Sequence, residues 1–566
     1  MENNNSYLCS FEIIKKIAIQ FLQANNLIKL KNKIVILEVK PKLNSAHLAC
    51  NLFFLLNFEN KKERFFEFLK KRNYNNYFTK IEVKNNFLNF WFNPSYLNKI
   101  INVILEKKLN FQKVVKLNPK KINIEIVSAN PSGLLHIGHV RNGCLGTSLG
   151  KIFAHLGYLV TFEYYVNDAG NQIDLLASSI YYHYLKIINP NLEIKFSDNF
   201  YKGEIYLKLA QKIINEYQFK FQNSTIISEK IQDLKIKEFF KEYAKNYFLE
   251  NIKKELKKLK IKIDFFRHES SVYKNNKILF ILKRYQETNN LDLKNNATFL
   301  KTTKLNDEKN RVLIKENKTY TYLLPDIASH YERISNLKTT KLFLNFVGAD
   351  HHDYAKRMIM SLKLLDFNLT MPIYKIIQMV KLKTNQKIVK ISKRKGNIIY
   401  FKDLNKFLSV STINYMMVSK VSSAQLILDL NLLKSQSSNN PIFYINYACA
   451  RIFQLFKVAK IDFKTINFKN FNFADLNNEF ETRIITKLHL FNFYLQKAAL
   501  SLEPSWICNY LYDLVKLFHI YYSKVKILNQ ENLKTTNKKL LLIKAIQYVI
   551  KICLKLINVS YIQKMY

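Results

Sequence analysis

The chain has 566 residues, 48% of them hydrophobic and 14% aromatic. That is enough apolar material for folded cores and too much chain for one, so about two to four domains are expected. Lys and Arg number 89 against 43 Asp and Glu, a formal charge of +46, which favours a polyanionic partner, nucleic acid before membrane. Part of the excess reflects a composition crowded with Lys, Asn, Ile, Phe and Tyr, as an AT-rich genome would produce. The charge therefore supports RNA binding without proving it. Six scattered cysteines (Cys9, Cys50, Cys144, Cys449, Cys508, Cys553) form no C-x-x-C pair, which gives no zinc site and no disulfide framework and fits a reducing cytosol. Residues 1–5 lack the charged and apolar regions of a signal peptide. Apolar runs near the other end are broken by Lys544, Lys551 and Lys555, short of a membrane span. A soluble, cytoplasmic protein is expected.

In chain order, residues 1–112 read as a small α+β domain, with helical periodicity at 11–27, a strand at 34–39, a helix opening at 46–51 and a strand at 87–92. Residues 118–430 read as a larger α/β domain. A strand at 122–127 runs into a Pro/Ser/Gly turn, and a helix opens near His136. From about 180 to 276 the pattern turns helical and Lys-rich, as an insertion with a solvated face would. A strand and turn at 319–326 precede a helix through His330, and a buried strand at 342–347 ends in polar residues at Asp350 and His351. Such strand ends are where open α/β sheets bind ligands. Residues 440–566 carry apolar stripes at helical spacing throughout, and 435–440 is the clearest linker.

Seven of the ten glycines fall between positions 133 and 170, which suggests a backbone that must turn sharply or approach a ligand. Strand, glycine-bearing turn and helix N-terminus together make a phosphate site, because the first N–H groups of a helix lack partners and its dipole is positive there. His136 and His139 add donors on that first turn. Far along the chain, 390–397 is a short basic loop that carries another of the scarce glycines.

The pair S-x-N-P-x-G-x-x-H-I-G-H (128–139) and K-I-S-K-R (390–394) resembles the two signatures of class I aminoacyl-tRNA synthetases, with Ile391 where Met is usual, a nearly volume-conserving exchange, and Arg394 where many have Ser. With the stretches 164–172, 322–327, 347–352 and 440–444, the resemblance narrows to arginyl-tRNA synthetases and spans about 120–566. It implies a Rossmann-type parallel-sheet catalytic domain with a helical insertion, an α+β N-terminal domain that contacts the tRNA elbow, and an all-α C-terminal anticodon-binding domain. His136, His139, Lys390 and Lys393 would be catalytic. Gly138, Met379, Val380 and Ser392 would join them in binding ATP. Glu125 and Asn130 would hold the α-amino end of arginine, and Tyr322 and Asp326 its guanidinium. Ser128, Asn167, Asp350 and His351 would line the pocket.

The expected chemistry follows. Arginine attacks the α-phosphorus of ATP, giving arginyl-adenylate and pyrophosphate, and tRNA(Arg) then takes the arginyl group and releases AMP. Mg²⁺ accompanies ATP as its counter-ion, and no protein-bound metal or zinc is expected. A guanidinium is planar, forked and permanently charged, so it calls for fixed carboxylates. A site built on such partners rejects analogues lacking them by roughly 10⁴-fold or more. A monomer is expected. Cysteine and glutamate synthetases fit less well, the first for want of zinc ligands and the second for want of a basic pocket. A small-molecule adenylyltransferase would not need the helical tail. A non-catalytic RNA-binding protein would not need His136, His139, Lys390 and Lys393.

Overall fold

The periodicity at 11–27 folds as α1 (Ser10–Ala24), which buries Ile13, Ile14, Ile17, Ala18, Phe21 and Leu22 along one face. It leads into a four-stranded antiparallel sheet of β1 (Ile36–Glu38), β2 (Leu48–Cys50), β3 (Phe78–Lys84) and β4 (Phe87–Phe92), in the order β1-β2-β4-β3. The helix expected at 46–51 is a strand instead. Leu48, Ala49 and Cys50 are all buried and pair with β1 on one side and β4 on the other. A six-residue stretch with only three consecutive apolar residues, Leu48 to Cys50, fits either period, and sheet pairing decides it. Helices α2 (Lys61–Lys70), α3 (Pro94–Leu97) and α4 (Lys99–Lys107) complete this part.

The structure, a computed structural model, describes residues 10–39, 46–72, 74–349, 352–384, 387–389, 399–463 and 466–565. It divides into two units: residues 114–434, and a unit made from both ends of the chain, residues 1–113 and 435–566. Among the described residues no helix is long and apolar enough to cross a membrane.

The 114–434 unit is built on five parallel strands in the order β14-β13-β5-β6-β9. Of these, β5 (Lys121–Glu125) is joined by α5 (Ile137–His155) to β6 (Leu159–Val166). Then come α6 (Asn171–Ile188), α7 (Glu204–Tyr217), a hairpin of β7 (Ile226–Ile227) and β8 (Lys230–Ile231), and α8 (Leu234–Lys258). These helices share a core around Tyr181, Tyr184, Leu209 and Phe240. The span 180–276, expected to be helical insertion throughout, also contains β9 (Phe265–His268), a strand of the central sheet paired with β6. Four residues with no alternation give too short a signal to stand out beside a long Lys-rich helix.

Next are α9 (Ser270–Lys274), α10 (Lys277–Glu287) and a three-stranded antiparallel sheet of β10 (Leu291–Lys294), β11 (Ala297–Leu300) and β12 (Arg311–Ile314). After it, α11 (Leu323–Asn336), β13 (Thr340–Gly348), α12 (His352–Leu365) and β14 (Ile373–Ile377) return the chain to the central sheet. A small sheet of β15 (Val380–Thr384), β16 (Lys387–Val389) and β17 (Leu426–Asp429), with α13 (Phe401–Leu404), α14 (Val410–Val418) and α15 (Leu430–Lys434), ends the unit.

The remaining segment is helical, as expected: α16 (Pro441–Ala459), α17 (Glu479–His489), α18 (Phe491–Ser501), α19 (Ser505–Lys524) and α20 (Leu533–Leu556). It shares its unit with the N-terminal part through specific contacts. The Phe11 and Phe493 rings lie 5.2 Å apart, and the buried Lys487 ammonium pairs with Glu38 at 3.1 Å and Asp513 at 3.0 Å.

The clustered glycines serve mainly to bring α5 close to the sheet, not to open a ligand-binding turn. A Cβ on Gly146 would lie 2.1 Å from Ile126 Cγ2, and one on Gly150 would lie 2.3 Å from the Phe162 ring. Gly143 faces Ile261 and Val127 in the same way. Gly157 and Gly170, each with φ +80°, are the two of the cluster that need a left-handed backbone. In Gly146→Ala, overpacking of about 1–3 kcal/mol opposes the ~1 kcal/mol that alanine gains in a helix. At 2.1 Å the clash dominates, so a lower urea midpoint is expected.

Candidate active site at the carboxyl ends of the central strands

Strand β5 ends at Glu125, and Val127 and Ser128 follow with φ +68° and +40°. A β-branched residue with positive φ is strained. Side chains from several elements hold this turn. Asn142 Oδ1 accepts the Val127 N–H at 2.7 Å, the Tyr164 hydroxyl donates to Ala129 O at 2.6 Å, and the Tyr206 hydroxyl donates to Ser132 O at 2.8 Å. Glu255, from α8, accepts the Leu135 N–H at 3.0 Å.

The start of α5 differs from the expectation of unpartnered N–H groups. His136 is the N-cap residue. Its Nδ1 accepts the N–H groups of Gly138 at 3.1 Å and His139 at 3.3 Å, and His139 Nδ1 accepts the His136 N–H at 3.4 Å. The Ile137 N–H donates to Ile399 O at 3.0 Å. The helix is thus capped by its own histidines, whose rings stack at 3.5 Å. Because both Nδ1 atoms accept, each neutral imidazole carries its proton on Nε2, where it can donate to an oxygen anion.

Across the sheet, register places Glu163, Glu125, Asn345 and Tyr374 side by side on β6, β5, β13 and β14. Over this row lies the buried Arg333 of α11. Its guanidinium donates to Glu125 Oε2 at 3.0 Å, Asn345 Oδ1 at 2.9 Å and Asn123 Oδ1 at 2.7 Å, and reaches Glu163 at 3.4 Å. Arg267 adds a 2.5 Å bond to Glu163. Burial opposes ionisation of Glu163, but the two guanidinium groups outweigh it and hold its carboxyl below the usual range. At Glu125 burial wins over Arg333, and the carboxyl is raised. Ser128 Oγ donates to Glu125 Oε1 at 3.1 Å and accepts the Tyr165 N–H at 3.1 Å. His330 bridges Asp326 O and Asn345, and burial lowers it to about 3, so it stays neutral.

Beyond the row stands a second pair of acids that, among the described residues, no cation neutralises to the same degree. Asp326, one turn into α11, accepts the Tyr165 hydroxyl at 3.2 Å and the Tyr354 hydroxyl at 2.5 Å. It does not cap the helix. Burial pushes it up to about 6 despite those two donors. Glu269 is 3% exposed, and its Oε2 has no hydrogen-bond partner among the described residues. Burial first, then the charges of Asp326 and Asp168, push it up to about 8. Two carboxylates, poorly neutralised and beside aromatic hydroxyls, suit a forked cation.

Residues 99–419 match the family model described as tRNA synthetases class I (R), catalytic domain. The chain belongs to the class I arginine–tRNA synthetase family. Residues 445–565 match the model of the DALR anticodon binding domain. The arginine–tRNA ligase of Mesoplasma florum is 36% identical over 86% of this chain and 88% of its own length, and that of Bacillus subtilis is 33% identical over 85% and 84%. The structure of Thermus thermophilus arginyl-tRNA synthetase has the same fold, with a TM-score of 0.72 over 98% of this chain and 99% of that one, at 16% identity.

Within this synthetase fold the other expected site residues are placed as follows. Asn130 Nδ2 donates to Gln172 Oε1 at 2.7 Å, and Asn167 lies in the turn after β6. Tyr322 is 59% exposed at the start of α11, while Met379 is exposed and Val380, paired with Leu426 in the small sheet, is 2% exposed. Lys390, Ser392, Lys393, Asp350 and His351 lie outside the described residues. Glu269, Arg141 and Arg333 were missed. Arg141, in the helix of the first signature, donates to Gln378 O at 2.7 Å and Val421 O at 3.0 Å, fixing the turn before Met379. Among the described residues no group of three His, Cys, Asp or Glu side chains could hold a metal ion.

Proposed function

We propose that the chain ligates L-arginine to tRNA(Arg) through an arginyl-adenylate, with the Asp326–Glu269 pair as the seat of the guanidinium. The observation that carries this reading is that pair: two carboxyls raised by burial beside the Tyr165 and Tyr354 hydroxyls. Tyr322 packs over the guanidinium, and Glu125 and Asn130 take the α-ammonium, with Ser128 and Asn167 beside them. Bound there, the arginine carboxylate attacks the α-phosphorus of ATP and pyrophosphate leaves. The 2′-hydroxyl of the terminal tRNA adenosine then displaces AMP. Positioning and stabilisation of developing charge do most of the work. His136 and His139 donate to phosphate oxygens through Nε2–H, and Gly138, Met379 and Val380 contact the nucleotide. Lys390, Ser392 and Lys393 are assigned to the pyrophosphate from their place in the signature, and Asp350 and His351 to the pocket in the same way. Mg²⁺ enters as the counter-ion of ATP on its phosphates.

For the tRNA, the open face of the N-terminal sheet offers Lys80 with its ammonium 4.8 Å from the Trp91 ring, and Phe54 with its ring 4.9 Å from that of Phe87. A basic face with exposed rings suits an unstacked loop. One chain carries both catalytic and anticodon-binding segments, and we take the active form to be a cytoplasmic monomer.

Aminoacylation of matched tRNA transcripts, with each of the twenty amino acids supplied separately, tests the reading. Charging by arginine alone supports it, and charging by another amino acid overturns the pocket. The pH dependence offers a second test. With Asp326 raised to about 6 and Glu269 to about 8, the ionised pair that suits a guanidinium is incomplete near neutrality. KM for arginine is expected to fall several-fold between those two pH values, with KM for ATP changing less. Acids raised in the folded state stabilise it at low pH, and that contribution is lost as pH rises through their folded values. Arginine should therefore raise the Tm more at the upper end of that range than at the lower.

A further inference from the structure

Glu269 sits in the first turn after β9, and a single carboxylate holds both of its neighbours. Asp168, in the turn after β6, is 3% exposed. Its Oδ2 pairs with His268 Nδ1 at 2.9 Å and accepts the Ser270 hydroxyl at 3.0 Å, while its Oδ1 accepts the Ser270 N–H at 2.9 Å. The Val166 carbonyl accepts the N–H groups of both Asp168 and Glu269, each at 3.0 Å. Residues 268 and 270 are thus fixed to the end of β6 by side-chain bonds, and 269 by its backbone. The Glu269 Oε2, by contrast, is buried with no partner among the described residues.

Holding one oxygen of a buried carboxyl unpartnered is costly, and a flexible turn would rotate it toward water. The Asp168 bonds prevent that rotation. We propose that Asp168 is a positioning residue for arginine binding: it locks the 268–270 turn so that the Glu269 carboxylate faces the substrate guanidinium. This rests on Glu269 being a guanidinium partner, as read above. It explains why an acid is placed beside another acid: Asp168 takes its own partners from the His268 ring at 2.9 Å and from Lys245 of α8 at 3.9 Å, and so leaves Glu269 for the ligand. The charged and titratable groups around Glu269 are Asp168, Asp326 from α11 and Tyr165 from β6, with Tyr273 of α9 as its hydrogen-bonding neighbour. A neutral residue at 168 removes one of the negative charges that raise it.

The test is aminoacylation kinetics on the full-length protein with wild type, Asp168→Asn and Glu269→Gln. For Asp168→Asn, KM for arginine is expected to rise roughly ten-fold or more, with KM for ATP and tRNA within about two-fold, since the displaced group faces the amino acid alone. The acidic limb of kcat/KM for arginine should also move to lower pH, which a purely structural role would not produce. A fall in kcat with KM for arginine unchanged would overturn the proposal and leave Asp168 as a fold residue. If Glu269→Gln leaves KM for arginine unchanged, the guanidinium assignment itself is wrong, and the proposal falls with it. If Glu269→Gln raises it and Asp168→Asn does not, the positioning role alone is refuted. Should Asp168→Asn fail to fold, Ser270→Ala removes one of the three bonds. A rise in KM for arginine then supports the proposal, and an unchanged KM overturns it.

Discussion

Asp326→Asn is expected to lower kcat/KM for arginine by roughly 10²- to 10⁴-fold, the effect of leaving a desolvated cation without its charged partner at about 3–5 kcal/mol. The Tyr165 and Tyr354 hydroxyls donate to different oxygens of Asp326; the amide keeps one of these acceptors, and its NH2 can donate to the other hydroxyl oxygen, so the pocket retains its shape and the loss is mainly one of charge. The same substitution should not weaken the fold. Burial raises the Asp326 carboxyl to about 6, so above that pH its ionisation works against the folded state. A neutral amide escapes that penalty. Steady-state kinetics and thermal unfolding on one sample check both halves: activity falls while Tm at pH 8 holds or rises. A large drop in Tm would instead make Asp326 a structural residue.

Arg333→Met should do the reverse and break the fold of the 114–434 unit. The guanidinium is 2% exposed and joins Glu125, Glu163, Asn123 and Asn345 in one network. Removing it leaves Glu125 without its guanidinium partner and Glu163 with Arg267 alone, in a site of low polarity, a loss of about 3–5 kcal/mol. Urea denaturation should show that loss. The deficit should narrow as pH falls, because without Arg333 the two acids regain stability by protonating. Adding Glu163→Gln should recover part of it, since the pair is coupled. Equal stability of Arg333→Met and wild type would mean that the network contributes little.

The contrast between these residues also marks what the sequence could convey. Asp326 was legible because it falls in a short stretch whose residue types match a family pattern. The histidines were legible for the same reason, but their capping role was not, since that depends on ring orientation at the helix start. Arg333 lies 208 positions from Glu125, and an arginine on a helix reads as surface until the sheet beneath it is known. Glu269 had no local signal either: it follows a four-residue strand inside a Lys-rich span that reads as helix. Gly157 and Gly170 turn the backbone as expected, but the close approach that Gly146 and Gly150 allow was not legible, because it is set by Ile126, just after β5, and by Phe162 on β6. The strand β2 failed on length, since three residues carry no period.

His136 caps α5 through Nδ1, and in the proposed reaction the same ring would also donate to a phosphate oxygen through Nε2. The architecture of the turn and its chemistry are therefore confounded in any scan that truncates this side chain: removing the ring loosens the helix start and deletes a donor at once. An asparagine, a strong N-cap residue, would preserve the first task and abolish most of the second. For this reason the tolerance of position 136 to substitution is a poor measure of its chemical importance. Two independent demands converge on a single imidazole, and a residue that meets one of them well can still fail the other.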